Sequence, residues 1–239
     1  MAQTRLSLVL ALSIACGSAA HADTWQVGGL TTYIQNSWGG DPANDAGAAL
    51  LNASFDTVYG ATFGVTVGST SGFTMSFTDA DSVRADLPSI GPFAALNGTT
   101  LNPVSTASGA FGGEVLSLEF NVDFSDAGLL PASSGLRFGD LILENFATLP
   151  ALNGLTVREF LADANTCLGG GACLYNPSDL DFENAFVSLN AAFADGTPIP
   201  FAQAHLVAPT SAGAVPEPSS WLFLIPAVAL EWGRRLRCR

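Results

Sequence analysis

Residues Glu114–Phe124 read EVLSLEFNVDF, and the fold turns on how their alternation is taken. Leu116, Leu118, Phe120, Val122 and Phe124 fall on one parity, Ser117, Glu119, Asn121 and Asp123 on the other. A period of two is that of a strand with one buried and one wet face, and such strands belong to antiparallel sheets. The stretch predicts an amphipathic strand.

Upstream, Ala61–Gly68 alternates Phe63, Val65 and Val67, and Gly72–Thr78 alternates Phe73, Met75 and Phe77, with Ser69-Thr70-Ser71 between them. This is a hairpin pattern. Downstream, Leu136–Phe146 predicts a further strand, with Gly139-Asp140 marking a bulge or bend. Beyond it the period changes. Thr156-Val157-Arg158-Glu159 has the form of a capping box, in which each side chain satisfies a backbone donor at a helix start, and Val157, Phe160, Leu161 and Ala164 follow at helical spacing. Gly169–Gly171 ends that helix. A second helix is expected after Asn176-Pro177-Ser178, carrying Phe182, Ala185, Phe186, Leu189 and Phe193 to a stop at Asp195-Gly196. Asn36–Ala46 and Ala94–Gly113 read as long Gly-, Ser-, Thr- and Asn-rich connectors. The expected fold class is mainly β (α+β): an antiparallel β-sandwich-like domain with two short helices in its C-terminal half, flanked by a signal peptide and a C-terminal membrane segment.

The ends of the 239-residue chain carry the targeting features. Arg5, the apolar Leu6–Ala15 and Ala20-His21-Ala22 form the three regions of a secretory signal peptide over residues 1–22. Cys16 raises a lipoprotein signal as an alternative, but Ser13 stands where that signal carries a branched apolar residue. Residues 23–207 are expected to form one exported β-rich domain, and 208–214, rich in small residues and Pro, a flexible linker.

Between the ends, Arg84, Arg137 and Arg158 face nineteen carboxylates, a formal charge of −16, and the chain has no lysine. Phosphate backbones and anionic lipid heads are bound chiefly through Lys and Arg, so nucleic acid is excluded as a partner. With 48% hydrophobic residues the chain is not of disordered composition. Cys167 and Cys173, separated by Leu168-Gly169-Gly170-Gly171-Ala172, are expected to form a disulfide in an oxidising compartment, two reduced thiols being the alternative.

Catalytic chemistry has little to stand on. His205 is the sole histidine of the expected mature region, without a nucleophile elbow beside it, and it reads as structural. Asp79-Ala80-Asp81 and Asp179–Glu183 offer oxygen ligands suited to calcium, but neither fits the twelve-residue calcium loop and helix-start roles compete. Trp25, Trp38 and Tyr33 form either a carbohydrate-stacking platform or the packing of a first strand. No catalytic residue, metal site or cofactor is assigned.

At the C-terminus, residues 215–239 read VPEPSSWLFLIPAVALEWGRRLRCR. The triplet Pro216-Glu217-Pro218, the apolar run 219–233 and the arginines 234, 235, 237 and 239 resemble the PEP-CTERM sorting signal of exported bacterial proteins. The resemblance assigns Pro216, Glu217, Pro218, Arg234, Arg235 and Arg237 as the sorting motif. It implies a Gram-negative, exopolysaccharide-producing host, an exosortase-type sorting peptidase as partner, and transient anchorage in the membrane before cleavage. The positive-inside rule agrees, holding the arginines on the cytoplasmic side. The fifteen-residue run, about 22 Å as helix, is short for a ~30 Å hydrocarbon core, and Pro226 and Glu231 interrupt it. Those features suit a transient segment better than the alternative, an ordinary anchor. Gly135–Gly171 also resembles a segment of uncharacterised members of the same exported group. The expected function is that of an exosortase-sorted surface or extracellular-matrix protein, structural or binding, associated with exopolysaccharide. The alternatives are a secreted polysaccharide hydrolase using paired carboxylates and a calcium-stabilised adhesin.

Overall fold

The computed structural model describes residues 25–132 and 134–209, and within them Glu114–Phe124 is helical. The elements run in the order α1 (Gln35–Trp38), α2 (Ala46–Phe63), β1 (Val65–Gly68), β2 (Thr74–Phe77), α3 (Ala80–Asp86), β3 (Thr100–Leu101) and α4 (Ala110–Asp126). They continue with β4 (Ile142–Leu143), α5 (Val157–Leu168), α6 (Leu180–Asn190), α7 (Pro200–His205) and β5 (Leu206–Val207). Among the described residues helix makes up 43% and strand 9%, with only small sheets, which overturns the mainly β, sandwich-like expectation. Among the described residues no helix is long and apolar enough to cross a membrane. The expected signal peptide 1–22 and the expected membrane segment 219–233 lie outside the described residues.

The reason for the difference lies in α4. At about 100° per residue, alternate apolar residues of a helix fall into two opposed groups, here Leu116, Phe120 and Phe124 on one side and Leu118 and Val122 on the other. The intervening polar residues form two stripes between them, Glu114, Ser117 and Asn121 on one flank and Glu119 and Asp123 on the other. A helix with apolar faces front and back is one surrounded by partners, and α4 is buried at nearly every position from Phe111 to Phe124. On one side Phe120 and Phe124 meet Trp38 at 5.3 Å between ring centroids and Tyr59 of α2 at about 6 Å. Elsewhere Phe111 meets Phe182 and Phe186 of α6, and Phe186 lies 4.6 Å from Phe160 of α5. The core is thus a phenylalanine-rich layer on both sides of a central helix.

The hairpin exists in shortened form: β1 and β2 pair antiparallel, Val65 opposite Phe77 and Val67 opposite Met75. All four side chains are buried, while Phe73 is exposed. β3 adds to β2 in parallel. The expected strand Leu136–Phe146 reduces to a 3-10 turn at Phe138–Asp140 and to β4, which pairs with β5. The helix expected at Thr156 forms as α5, with both halves of its capping box in place. The next forms as α6, capped by Asp179 but ending at Asn190. Missed altogether are α2, whose Ala48, Leu51 and Phe55 lie buried at helical spacing before Gly60 breaks it at φ 73°, and α3, started by an Asp79–Ser82 capping box.

The first described residue is tied to the last elements. The indole Nε1 of Trp25 donates to the carbonyls of Ala202 and Leu206 at 3.1 and 3.0 Å, and its ring sits edge-on to Phe193.

Candidate functional site

Residues 32–37 lead from the first turn into α1, and the loop 41–45 leads into α2. The backbone of that loop is set by its own carboxylates: Asp45 Oδ2 accepts from the Asp41 amide at 2.9 Å, and Asp41 accepts from the Ala43 amide and the Asn44 side chain. Facing it is the turn after α6, where Thr32 bridges Ala194 and Asp195 adopts a left-handed φ of 51°. Asp tolerates that region better than most residues. Between them lies a cleft of about 340 Å³, lined by Tyr33, Ile34, Asn36, Asn44, Asp45 and Asp195 among others. It offers carboxylates and amides, groups that bind hydroxyl-rich ligands. Burial and the nearby Asp195 charge raise the Tyr33 phenol above its ordinary range, keeping it a donor.

Two polar clusters flank α4, the first buried and the second partly so. In the first, Glu114 accepts from Gln35 Nε2 at 2.7 Å and from Asn190 Nδ2 at 2.6 Å. Asn121 donates to Asn190 Oδ1 at 3.0 Å and exchanges two bonds with the Tyr33 backbone. Burial raises the Glu114 pKa. Every oxygen of this carboxylate has a donor, so the cluster holds α1, α4 and α6 in register and is structural.

The second cluster lies on the other polar stripe. Glu119 accepts from Asn165 Nδ2 of α5 at 3.0 Å, and Asn165 Oδ1 accepts from the Gly68 amide at 2.8 Å. Burial, with the like charge of Asp123 one turn on, pushes Glu119 up to about 7. Asp123 is itself raised, first by burial, and lies against the Tyr59 hydroxyl, whose own pKa is raised well above its ordinary value. Arg158 binds Asp126 through two bonds of 2.7 and 3.0 Å and Asp140 at 3.2 Å. It closes the end of this stripe.

A glycosidase-type pair needs a carboxyl held protonated inside a cleft. Neither Glu119 nor Asp123 is among the residues lining the cleft at Tyr33 or a second one of about 220 Å³ at Asp56, Asp79 and Asp81. In that second cleft Asp79 caps α3, its carboxyl held below the usual range by the Ser82 amide, and Asp81 pairs with Arg84. Among the described residues no three His, Cys, Asp or Glu are grouped to hold a metal.

The other sequence candidates fall as follows. Cys167 and Cys173 form a disulfide. Asp179 caps α6 and Asp181 and Glu183 lie in its first turn. His205 ends α7, its Nδ1 3.0 Å from the Glu144 carbonyl and its ring tilted against those of Phe146 and Phe201. Trp25, Trp38 and Tyr33 are all buried, so the three do not form an exposed stacking platform; they pack the core, Tyr33 edge-on to Trp38. Pro216, Glu217, Pro218, Arg234, Arg235 and Arg237 lie outside the described residues. The sequence reading missed the Tyr33 cleft because its residues come from three separated loops, although Asn44-Asp45 and Asp195-Gly196 are visible turn signals. The chain matches no protein family, no curated protein and no solved structure.

Proposed function

We propose that this is an exported surface or extracellular-matrix protein with a structural or binding role, delivered by an exosortase-type peptidase acting at Pro216-Glu217-Pro218 and associated with exopolysaccharide. The observation that carries the reading is the C-terminal succession of triplet, apolar run and arginines 234, 235, 237 and 239 behind an N-terminal secretory signal. Export suits the Cys167–Cys173 disulfide, since such bonds persist in oxidising compartments. A binding role suits the cleft at Tyr33, Asn44, Asp45 and Asp195, whose acceptors and donors match sugar hydroxyls.

The test follows the full chain, tagged within the exported domain, in a host with the sorting peptidase and in one lacking it. Delivery by sorting requires a shorter, surface or secreted product in the first and a longer, membrane-retained product in the second. Identical size and location in both would sink the reading. Replacing Pro216, Glu217 and Pro218 by alanine is expected to reproduce the peptidase-deficient result.

A further inference from the structure

An asparagine that precedes a glycine can react with its own backbone, because the glycine amide nitrogen reaches the side-chain carbonyl carbon and no Cβ crowds the approach. Two restraints oppose the reaction. A hydrogen bond donated by the glycine N–H holds the proton that the nitrogen must give up, and hydrogen bonds to the carboxamide stop it from swinging back onto the chain. The sequence holds two such dipeptides, Asn97-Gly98 and Asn153-Gly154, and both asparagines are exposed. Access to water does not distinguish them; hydrogen bonding does.

The Asn153 carboxamide is held on both sides: Oδ1 accepts from the Phe146 amide at 2.8 Å and Nδ2 donates to the Phe146 carbonyl at 3.0 Å. The Gly154 amide is committed as well, donating to the Leu143 carbonyl at 2.8 Å. Attack there has to break all three bonds. Asn97 carries none of these restraints. Among the described residues its carboxamide finds no hydrogen-bond partner, and the Gly98 amide donates to none. A Cβ built at Gly98 would meet no atom within 4 Å, so the backbone has room to turn. On either side the chain is fixed: Leu96 N donates to the Leu168 carbonyl at 2.8 Å, Thr99 Oγ1 accepts from the Thr74 amide at 3.3 Å, and β3 begins at Thr100. Asn97 and Gly98 are the unbonded span between those points.

We infer that Asn97 is a modification site at which the folded chain deamidates itself, while Asn153, in the same dipeptide, is protected by the fold. The Gly98 nitrogen forms a bond to Asn97 Cγ, the Cγ–Nδ2 bond breaks, and ammonia leaves with the proton that the Gly98 amide gives up. The product is a cyclic imide. Water opens it at either carbonyl, leaving aspartate or isoaspartate, with no oxidant or reductant consumed. Each event adds a negative charge to a domain whose formal charge is already −16. The isoaspartate product also lengthens the backbone by a methylene between Leu96 and β3. None of this depends on how the protein is delivered or on what the cleft at Tyr33 binds.

The test holds the full chain at mildly alkaline pH, samples it over time, cuts after arginine and maps the fragments by mass spectrometry. Fragments 85–137 and 138–158 then carry one Asn-Gly dipeptide each. Conversion at Asn97 is expected to run at least about tenfold faster than at Asn153 in the folded chain, tenfold being about 1.4 kcal/mol of barrier. Isoaspartate is expected among the products, detected by enzymatic methylation of its carboxyl. In urea, where the bonds from Asn153 and Gly154 to Phe146 and Leu143 are gone, the two sites are expected to react at similar rates. Gly98→Ala, whose Cβ enters open space, is expected to slow the reaction at Asn97 with circular dichroism unchanged. Conversion at Asn97 in the folded chain that is absent, or no faster than at Asn153, would overturn the assignment. An undiminished rate in Gly98→Ala would refute the route through the Gly98 nitrogen.

Discussion

The side-chain amide of Asn190, at the end of α6, donates at 2.6 Å to the carboxylate of Glu114 in the first turns of α4, and both residues are buried. The same amide donates to the Glu114 backbone carbonyl at 3.0 Å, and Asn190 Oδ1 receives Asn121. One side chain therefore satisfies three groups that have no water to turn to.

Asn190→Leu removes all three bonds while keeping the volume. Hydrogen bonds to charged groups contribute about 1.5–3 kcal/mol and stranded buried partners cost more, so a loss of roughly 3 kcal/mol is expected in urea unfolding at pH 7. Gln35→Leu, which strands Glu114 Oε1, is expected to behave alike. A loss under about 1 kcal/mol in both would show that the network contributes little, since that is the size of an ordinary hydrogen bond.

Glu119 makes stability depend on pH. Its folded pKa of about 7 lies above the ordinary value of 4.5, so the folded state holds the proton more tightly than the unfolded one. The resulting stabilisation is complete below about pH 4.5 and is lost as pH rises through 7, by at most about 3 kcal/mol. Raised Asp123 acts with the same sign. Glu119→Gln, which keeps an acceptor for Asn165, is expected to flatten the fall in unfolding free energy between pH 5 and 8. An unchanged slope would contradict the assignment.

Arg158 pulls the other way, since its charge lowers the Glu119 and Asp123 pKa values. Arg158→Met is therefore expected to move the Glu119 midpoint upward, read by carboxyl carbon NMR. Asp123→Asn, which removes a like charge, is expected to move it downward. Because the arginine pairs are partly exposed, Arg158→Met is expected to cost no more than about 1 kcal/mol in stability. Opposite signs in either titration would refute the electrostatic account.

The loop inside the disulfide is also the seat of the hairpin turn. Phe73 N donates to the Gly169 carbonyl at 2.9 Å, and Leu96 N donates to the Leu168 carbonyl at 2.8 Å. A Cβ at Gly72 would overlap the Gly169 carbonyl oxygen. Gly72→Ala is expected to cost about 1–3 kcal/mol, the usual range for overpacking. Reduction of Cys167–Cys173 is expected to cost about 2 kcal/mol, as closing a short loop allows. Both are read as shifts of the thermal midpoint; a neutral Gly72→Ala would mean that the two backbones are not in contact.

What the sequence revealed of the fold depended on whether an element has one partner face or several. Val157, Phe160, Leu161 and Ala164 give a single buried stripe behind a capping box, so α5 was legible. Helix α4 has partners on every side, and its two apolar faces imitate the alternation of a strand. Helix α2 hid behind Gly47 and β-branched Thr57 and Val58, residues of low helical propensity overridden by the burial of Ala48, Leu51 and Phe55. The Cys167–Cys173 bond was readable from spacing and glycines. The cleft at Tyr33 was not, because only the folded chain brings Asn44, Asp45 and Asp195 to one place.

Trp25, fastened to the carbonyls of Ala202 and Leu206, also sets how the domain meets mechanical load. With both termini of the described chain secured to each other, tension applied beyond residue 209 runs into the β4–β5 pair and the indole's two bonds before it reaches the phenylalanine layers around α4. A pull on the two ends of the described chain is therefore expected to load these two hydrogen bonds early.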